Sequence, residues 1–222
     1  VDPILVGCFE RYFSLRDLRM SAPVRNLGRI SRSSTVFFLC DVQERFREHI
    51  HMMPHVIQTS KFLVNASRVL EIPCIVTEQY PKGLLHTVSE IDVKGLPVFE
   101  KTDFTMLVPQ VEKCIADMGT PKDTAVLFGI EGHVCVQQTA LDLLAKGWNV
   151  HLVADGISSS KPLNRTVALQ RLQDAGALLT TSEAVVFEIM RSTSCKEFKT
   201  ISKLVKENNA SLGELDVLLS SL

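Results

Sequence analysis

From Thr35 onward the chain alternates short apolar blocks with longer segments whose apolar residues recur at helical spacing. Thr35–Cys40, rich in Val and Phe, is predicted to be a strand. Val56–Leu70 carries apolar residues at 56, 63 and 70 and again at 57 and 64, one stripe of a helix. Cys74–Thr77, after Pro73, and Pro97–Lys101 read as the next two strands, and Val108–Met118 as a helix. Thr124–Phe128 is a short apolar block broken by Gly129, with a helix starting near Val134 and ending at Lys146 and Gly147, a basic last turn and a C′ glycine. Val150–Ala154, Leu163–Ala175 and Ala177–Thr181 continue as strand, helix and strand, with Ser160 expected to cap that helix. Helices over Glu183–Met190 and Lys196–Glu207 close the pattern. Strands separated by crossover helices imply an α/β fold, a doubly wound three-layer sandwich around a parallel sheet of about six strands. One domain is expected over 29–207, with 208–222 as a C-terminal tail.

Composition narrows the class without naming the chemistry. The 222 residues are 45% hydrophobic, with 24 basic and 25 acidic side chains. That length buries a full core, and near-neutrality gives no electrostatic case for nucleic acid or an acidic membrane surface. The longest apolar stretches are about strand length, too short to span a bilayer. Six cysteines, at 8, 40, 74, 114, 135 and 195, form no C-x-x-C pair and no metal-ligand cluster. Most fall in or beside core segments, the pattern of reduced cysteines, so a cytoplasmic location is expected. Asn65, Asn164 and Asn209 open Asn-x-Ser/Thr matches with no secretory signal before them. Val1–Ser34 holds six arginines and no lysine, which leaves a mitochondrial presequence open, though Asp2, Glu10 and Asp17 dilute the pattern. The simpler reading is a disordered leader over 1–28, or an over-extended start whose natural first residue is Met20.

In doubly wound sheets ligands collect beyond the carboxyl ends of the strands, at the topological switch point. Asp41 ends the first predicted strand, Lys101 ends the third, and Cys135 follows the fourth in the first turn of a helix. Unpaired N–H groups and the positive end of the helix dipole favour a thiolate there. Each residue also has an ordinary reading: Asp41 as a turn cap, Lys101 as a solvated strand end, Cys135 as buried packing. Their convergence on one rim carries more than any one alone. A thiol is a poor nucleophile until deprotonated; Asp41 could take its proton, and Lys101 could hold both anions.

Three segments carry a resemblance. Val36-Phe-Phe-Leu-Cys-Asp41-Val-Gln-Glu-Arg-Phe46, Phe99-Glu-Lys101-Thr-Asp-Phe104 and Gly129-Ile-Glu-Gly-His-Val-Cys135 closely resemble the isochorismatase-like cysteine hydrolase family, over about Thr35 to Lys206. Thr77-Glu-Gln-Tyr-Pro-Lys-Gly83 and Thr180-Thr-Ser-Glu183 look most like its animal isochorismatase domain-containing members. The resemblance implies an Asp41–Lys101–Cys135 triad, an oxyanion hole from the amides of Glu131 and Cys135, and a cis Ile130–Glu131 peptide. It also implies a homo-oligomer. Isochorismatase proper lacks the cysteine, so Cys135 points to C–N or thioester-type acyl chemistry. Metal-dependent nicotinamidases of the family carry an Asp-x-His pair that this chain lacks. His51 and His55 are spaced i, i+4, but Pro54 between them would disrupt a shared helix face. No zinc or other cofactor is expected.

Other motifs read as structural. Asp155-Gly-Ile-Ser158-Ser-Ser160 is not Gly-x-Ser-x-Gly and is taken as loop and cap chemistry. No Gly-x-Gly-x-x-Gly or Walker loop supports nucleotide binding. Glu78, Gln79 and Tyr80 form a turn before Pro81, with Tyr80 a candidate pocket wall. Phe104, shortly after Lys101, is a second candidate substrate contact. The expected function is cysteine-dependent hydrolysis of a small amide, ureido or related acyl compound through a thioester. The alternative is a catalytically weak relative serving as a protein-interaction module.

Overall fold

Strand β1 (Thr35–Cys40) is buried along its whole length, as a strand covered on both faces must be. Its residues sort alternately: Val36, Phe38 and Cys40 enter one apolar core, Phe37 and Leu39 the other. The computed structural model describes residues 27–220, with side chains as far as 213. Around β1 it places β2 (Cys74–Gln79), β3 (Val98–Lys101), β4 (Thr124–Gly129), β5 (Asn149–Ile157) and β6 (Leu178–Thr180) in the order β3-β2-β1-β4-β5-β6. Every pairing in this sheet is parallel. The fold is the three-layer α/β sandwich that the alternation implies.

Helices α1 (Met53–Val69), α6 (Ser182–Met190) and α7 (Phe198–Ser220) cover one face, where Phe37 meets Phe128 edge to face at 6.1 Å. Helices α3 (Pro109–Ala116), α4 (Cys135–Ala145) and α5 (Pro162–Asp174) cover the other, where Phe38 meets Trp148 at 6.1 Å. Each fully buried aliphatic or aromatic side chain contributes about 1.5–3 kcal/mol by leaving water, so the two cores carry the sheet between them.

Several boundaries differ from the sequence reading, each for a local reason. Ser160 does not cap α5. The cap position is Lys161, with Pro162 at the first turn, where its missing N–H costs nothing. The Ser160 amide and hydroxyl both donate to Glu131 Oε2 instead, at 3.2 and 3.1 Å. Pro54 likewise opens α1 rather than interrupting it, so His55 is helical while His51 precedes the helix. A four-residue helix, α2 (Pro81–Leu84), occupies the turn after Tyr80. The last helix runs past Glu207 to Ser220. Most of the leader read over 1–28 lies outside the described residues. Gly28 itself is buried, and a Cβ there would stand 1.8 Å from Leu178 Cδ1.

The strand order sets the position of the site. The chain starts in the middle of the sheet at β1, winds outward through β2 to β3, then returns to β4 on the far side of β1. The crevice between the carboxyl ends of β1 and β4 is therefore the switch point.

Candidate active site

β1 and β4 run in register to their last pair, Cys40 opposite Gly129. Gly129 has φ of 120°, and a Cβ there would lie 2.2 Å from the Cys40 carbonyl oxygen, so only glycine lets the strands approach this closely. Past it the Ile130 amide donates to that same carbonyl at 2.9 Å, and the Ile130–Glu131 peptide bond is cis. The Glu131 carbonyl accepts from the Val134 and Val136 amides at 3.0 and 3.1 Å, closing a tight turn into α4. Cys135 is the first residue of that helix and is 7% exposed. Its amide stands among the first N–H groups of the helix, which have no intrahelical acceptor.

Asp41 follows β1 with φ of 52°, a left-handed conformation that aspartate tolerates better than most residues. The carboxylate is buried and its oxygens are divided between partners. Oδ1 accepts from the Thr77 hydroxyl at 2.7 Å; Oδ2 accepts from Lys101 Nζ at 2.7 Å and faces Cys40 Sγ at 3.6 Å. Lys101 reaches this point from β3, across the end of β2, where it is paired with Gln79. Its ammonium faces four acceptors: Asp41 Oδ2, Gln79 Oε1 at 2.6 Å, and the carbonyls of Asp103 and Phe104, each at 3.1 Å. Three protons serve four acceptors, so the nitrogen is fully satisfied and held. Burial pulls the Lys101 pKa down, but the charges of Cys40, Asp41 and Cys135 and the Asp41 hydrogen bond outweigh it, and the net shift is upward. Lysine stays ionised here despite its burial.

The structure thus brings Asp41 and Lys101 into direct contact and places Cys135 on the same rim, within electrostatic range of the Lys101 ammonium. The Cys40 thiol lies against that of Cys135. Burial first, then this contact and the charges of Asp41 and Cys135, push the Cys40 thiol well above the ordinary range, against the opposing Lys101. Thr77, Gln79 and Cys40 are parts of the site whose contacts sequence reasoning did not supply. Gln43 is another, since its side-chain amide bonds the Gln79 amide at 2.7 Å and carbonyl at 3.0 Å and so fixes the end of β2. The signal for Gln43 was its position two residues after Asp41, which has no meaning until β1 and β2 are paired. Thr139 fixes the first turn of α4: its hydroxyl donates to the Cys135 carbonyl at 2.7 Å and accepts from the Met106 amide at 2.9 Å. That bridge ties the loop after β3 to α4.

The Glu131 side chain turns toward the Ser158–Ser160 loop, where it meets Ser160 and comes within 3.2 Å of His133 Nδ1. His133 also contacts Ser159 Oγ at 3.1 Å and Asn164 at 3.2 Å. Tyr80 and Phe104 are both about half exposed, at 54% and 50%; Met106, two residues on, is fully buried. Tyr80 lines a cavity of about 460 Å³ together with Lys101, Lys82, Asp103 and Val108; neither Cys135 nor Asp41 lines it. Phe104 contributes its carbonyl to Lys101 rather than its ring to that cavity. Among the described residues no cluster of three or more His, Cys, Asp or Glu is placed to hold a metal ion.

A six-stranded, all-parallel sheet covered by helices on both faces is the architecture of the isochorismatase-like α/β fold. Residues 35–184 match the isochorismatase domain model, and the chain belongs to the isochorismatase family of hydrolases. It is 42% identical over 193 residues to isochorismatase domain-containing protein 1 of Danio rerio, spanning 86% of this chain and 68% of that protein. It is 43% identical over 194 residues to the secreted isochorismatase effector Isc1 of Phytophthora sojae, spanning 85% and 92% of the two chains. The solved structure of MAR1 ribonuclease from Caenorhabditis elegans superimposes with a TM-score of 0.76 at 42% identity, over 80% of this chain and 92% of that one.

Proposed function

We propose that the protein is a cysteine-dependent hydrolase of a small amide, ureido or related acyl compound, acting without a metal or organic cofactor. The observation that carries this reading is the buried Asp41–Lys101 pair, on the same rim as a thiol at the first position of a helix. Cys135 attacks the carbonyl carbon; a C–S bond forms while its proton passes to Asp41. The developing oxyanion is met by the amides of Glu131 and Cys135, each such donor being worth about 10²–10³ in rate. Asp41 then returns the proton to the departing amine, the C–N bond breaks, and a thioester remains. Water, deprotonated by Asp41, cleaves the thioester and frees the thiol. Lys101 acts by position and charge, holding the Asp41 carboxylate in place through its 2.7 Å hydrogen bond. Tyr80 and Phe104, exposed on the loops that follow β2 and β3, are the residues assigned to contact the substrate's non-reacting part. The cytoplasm is the proposed compartment, from the cysteine usage. The family resemblance supports a homo-oligomer, which light scattering would read as a mass above the 24.7 kDa of one chain.

A screen of amides, ureido acids and thioesters with wild type and Cys135→Ala tests the reading. Turnover by wild type that the variant lacks, and that survives a chelator, is the expected result. Equal turnover by both proteins would overturn it. The 42% identity to a protein described as a ribonuclease favours a second reading, RNA cleavage. RNA therefore belongs in the same screen: its hydrolysis by wild type with every acyl substrate untouched would replace the first reading by the second.

A further inference from the structure

We propose that Cys40 is a resolving thiol for Cys135, so that the pair is a reversible oxidation site responding to hydroperoxides. The inference rests on the reading of Cys135 as the reactive thiol, with Asp41 as its proton acceptor. It begins from a feature the hydrolytic chemistry does not use. Two free thiols from different segments, the end of β1 and the start of α4, belong to one core, where the Cys40 thiol has Cys135 as a side-chain neighbour. One of them also faces a carboxylate oxygen, with Cys40 Sγ 3.6 Å from Asp41 Oδ2. Hydrolysis requires a single sulfur.

Burial orders the two roles. Cys135 is 7% exposed and Cys40 is 0% exposed, so an incoming peroxide meets Cys135 first. Oxidation follows access, and of the two cysteines only Cys135, at the first position of α4, is open to solvent at all. The Cys135 thiolate attacks one oxygen of the hydroperoxide. An S–O bond forms, the O–O bond breaks, and the alkoxide leaves as alcohol, taking from Asp41 the proton that Cys135 gave up. Cys135 is then a sulfenic acid. Cys40 next gives its proton to Asp41 and attacks the Cys135 sulfur; an S–S bond forms and the S–O bond breaks. Hydroxide leaves and takes the proton from Asp41 as water. Two thiols and one peroxide give a disulfide, an alcohol and water, with two electrons passing from sulfur to oxygen.

The surroundings of Cys40 suit the second step and hinder the first. Its pKa is raised by burial and by the neighbouring Cys135, so in the reduced protein it stays a protonated thiol and leaves Cys135 free for hydrolysis. When Cys135 is a sulfenic acid, Asp41 Oδ2, 3.6 Å from the Cys40 sulfur, is placed to take the Cys40 proton as that sulfur attacks. The disulfide would silence the hydrolase and shield Cys135 from irreversible oxidation.

The test is intact mass and peptide mapping after hydrogen peroxide treatment of the full chain, with free thiols then blocked by iodoacetamide. Wild type should lose about 2 Da before blocking, yield a Cys40–Cys135 cross-linked peptide, and return to its starting mass with dithiothreitol. Cys40→Ser should instead carry Cys135 on to the sulfinic acid, about 32 Da heavier and not reversed by dithiothreitol. Cys40→Ala serves as the second variant if the serine hydroxyl disturbs the buried strand. Sulfinic Cys135 in wild type with Cys40 still free, or a bridge to Cys74, Cys114 or Cys195, would overturn the proposal. Mass rather than turnover is read, so the two readings fail separately. If Cys135→Ala still hydrolyses every wild-type substrate, the hydrolytic role falls while the Cys40–Cys135 bridge remains to be seen in the spectrum.

Discussion

Two ion pairs a few residues apart show how differently the molecule uses the same contact. Lys101 and Asp41 meet at 2.7 Å with side chains 0% and 2% exposed. Arg47, six residues beyond Asp41, bonds Glu90 at 2.6 Å and also Glu44, with side chains 32–44% exposed. The geometries are similar, but solvent separates them. At the surface, water screens the attraction and such a pair contributes roughly 0–1 kcal/mol. In the interior both charges are stripped of water, at several kcal/mol each, and only full hydrogen bonding offsets this. Thr77, Gln79 and two loop carbonyls supply those bonds around Asp41 and Lys101. A buried pair is poor evidence for stability, since an apolar pair of similar volume would hold the fold as well. Its placement at the switch point beside Cys135 gives the cost a functional reason.

The largest effect should come from splitting the buried pair. Lys101→Ala leaves Asp41 charged, buried and short of a partner, and urea unfolding should report a loss of about 3–5 kcal/mol. Replacing both charges together with Asp41→Asn and Lys101→Met should cost much less stability while still abolishing turnover. Thr139→Val comes next. It deprives the Met106 amide of its acceptor in a buried setting, and the expected loss is about 1–3 kcal/mol on the same assay.

A pH dependence separates a half-way case. The Glu78 carboxylate is buried and accepts from the Thr87 amide, the Thr87 hydroxyl and exposed His86, each at 2.8 Å. Burial raises its pKa, but those three donors outweigh it and the net shift is downward. His86 is raised in turn by its bond to Glu78. The Glu78 contribution is complete above the usual carboxylate value near ~4.3 and is lost as pH falls through its lowered folded value; the His86 contribution is present below ~6.5 and is lost as pH rises through its raised value. Melting temperature against pH should therefore show Glu78→Gln less stable than wild type above about pH 5, with the gap closing on acidification. Parallel curves would remove Glu78 from the account. The smallest effect belongs to Arg47→Ala, within about 1 kcal/mol of wild type and with unchanged turnover.

Much of this architecture was legible in the sequence because it repeats a simple rule. Val-Phe-Phe-Leu inside β1 and Ala-Val-Leu-Phe inside β4 are continuous apolar runs, the mark of strands buried on both sides. The residues after those runs had to lie on one rim, so Asp41, Lys101 and Cys135 could be named from strand ends alone. Contacts that depend on register were not legible. Thr77 meets Asp41 only because Cys40 pairs with Thr77 across β1 and β2, and Lys101 meets Gln79 only through the β2–β3 register. Cys40 read as one more apolar strand residue, since nothing in its neighbours says where the α4 thiol will sit. Ser160 was misread because a serine ahead of a helix is usually its cap. Here Pro162 opens the helix, and Glu131, far away in the chain, claims the serine. Edge strand β3 was recognised from Pro97–Lys101 although Val98 and Glu100 are exposed and Lys101 is the buried residue, the reverse of a hydrophobic pattern.

Central to all of this is the claim that the rim makes Cys135 a selectively reactive thiol. Burial holds three of the other cysteines back at neutral pH: Cys40 is pushed well up, Cys74 to about 12, and Cys114 is raised as well. The direct test is the rate of iodoacetamide labelling at each cysteine at neutral pH, followed by peptide mass, in wild type and Lys101→Met. Cys135 should label first and at least about tenfold faster than the others, and more slowly in the variant because the ammonium that holds Asp41 in place on the rim is gone. Cys135 labelling no faster than Cys74 in a folded wild-type protein, or at the same rate with and without Lys101, would contradict the account.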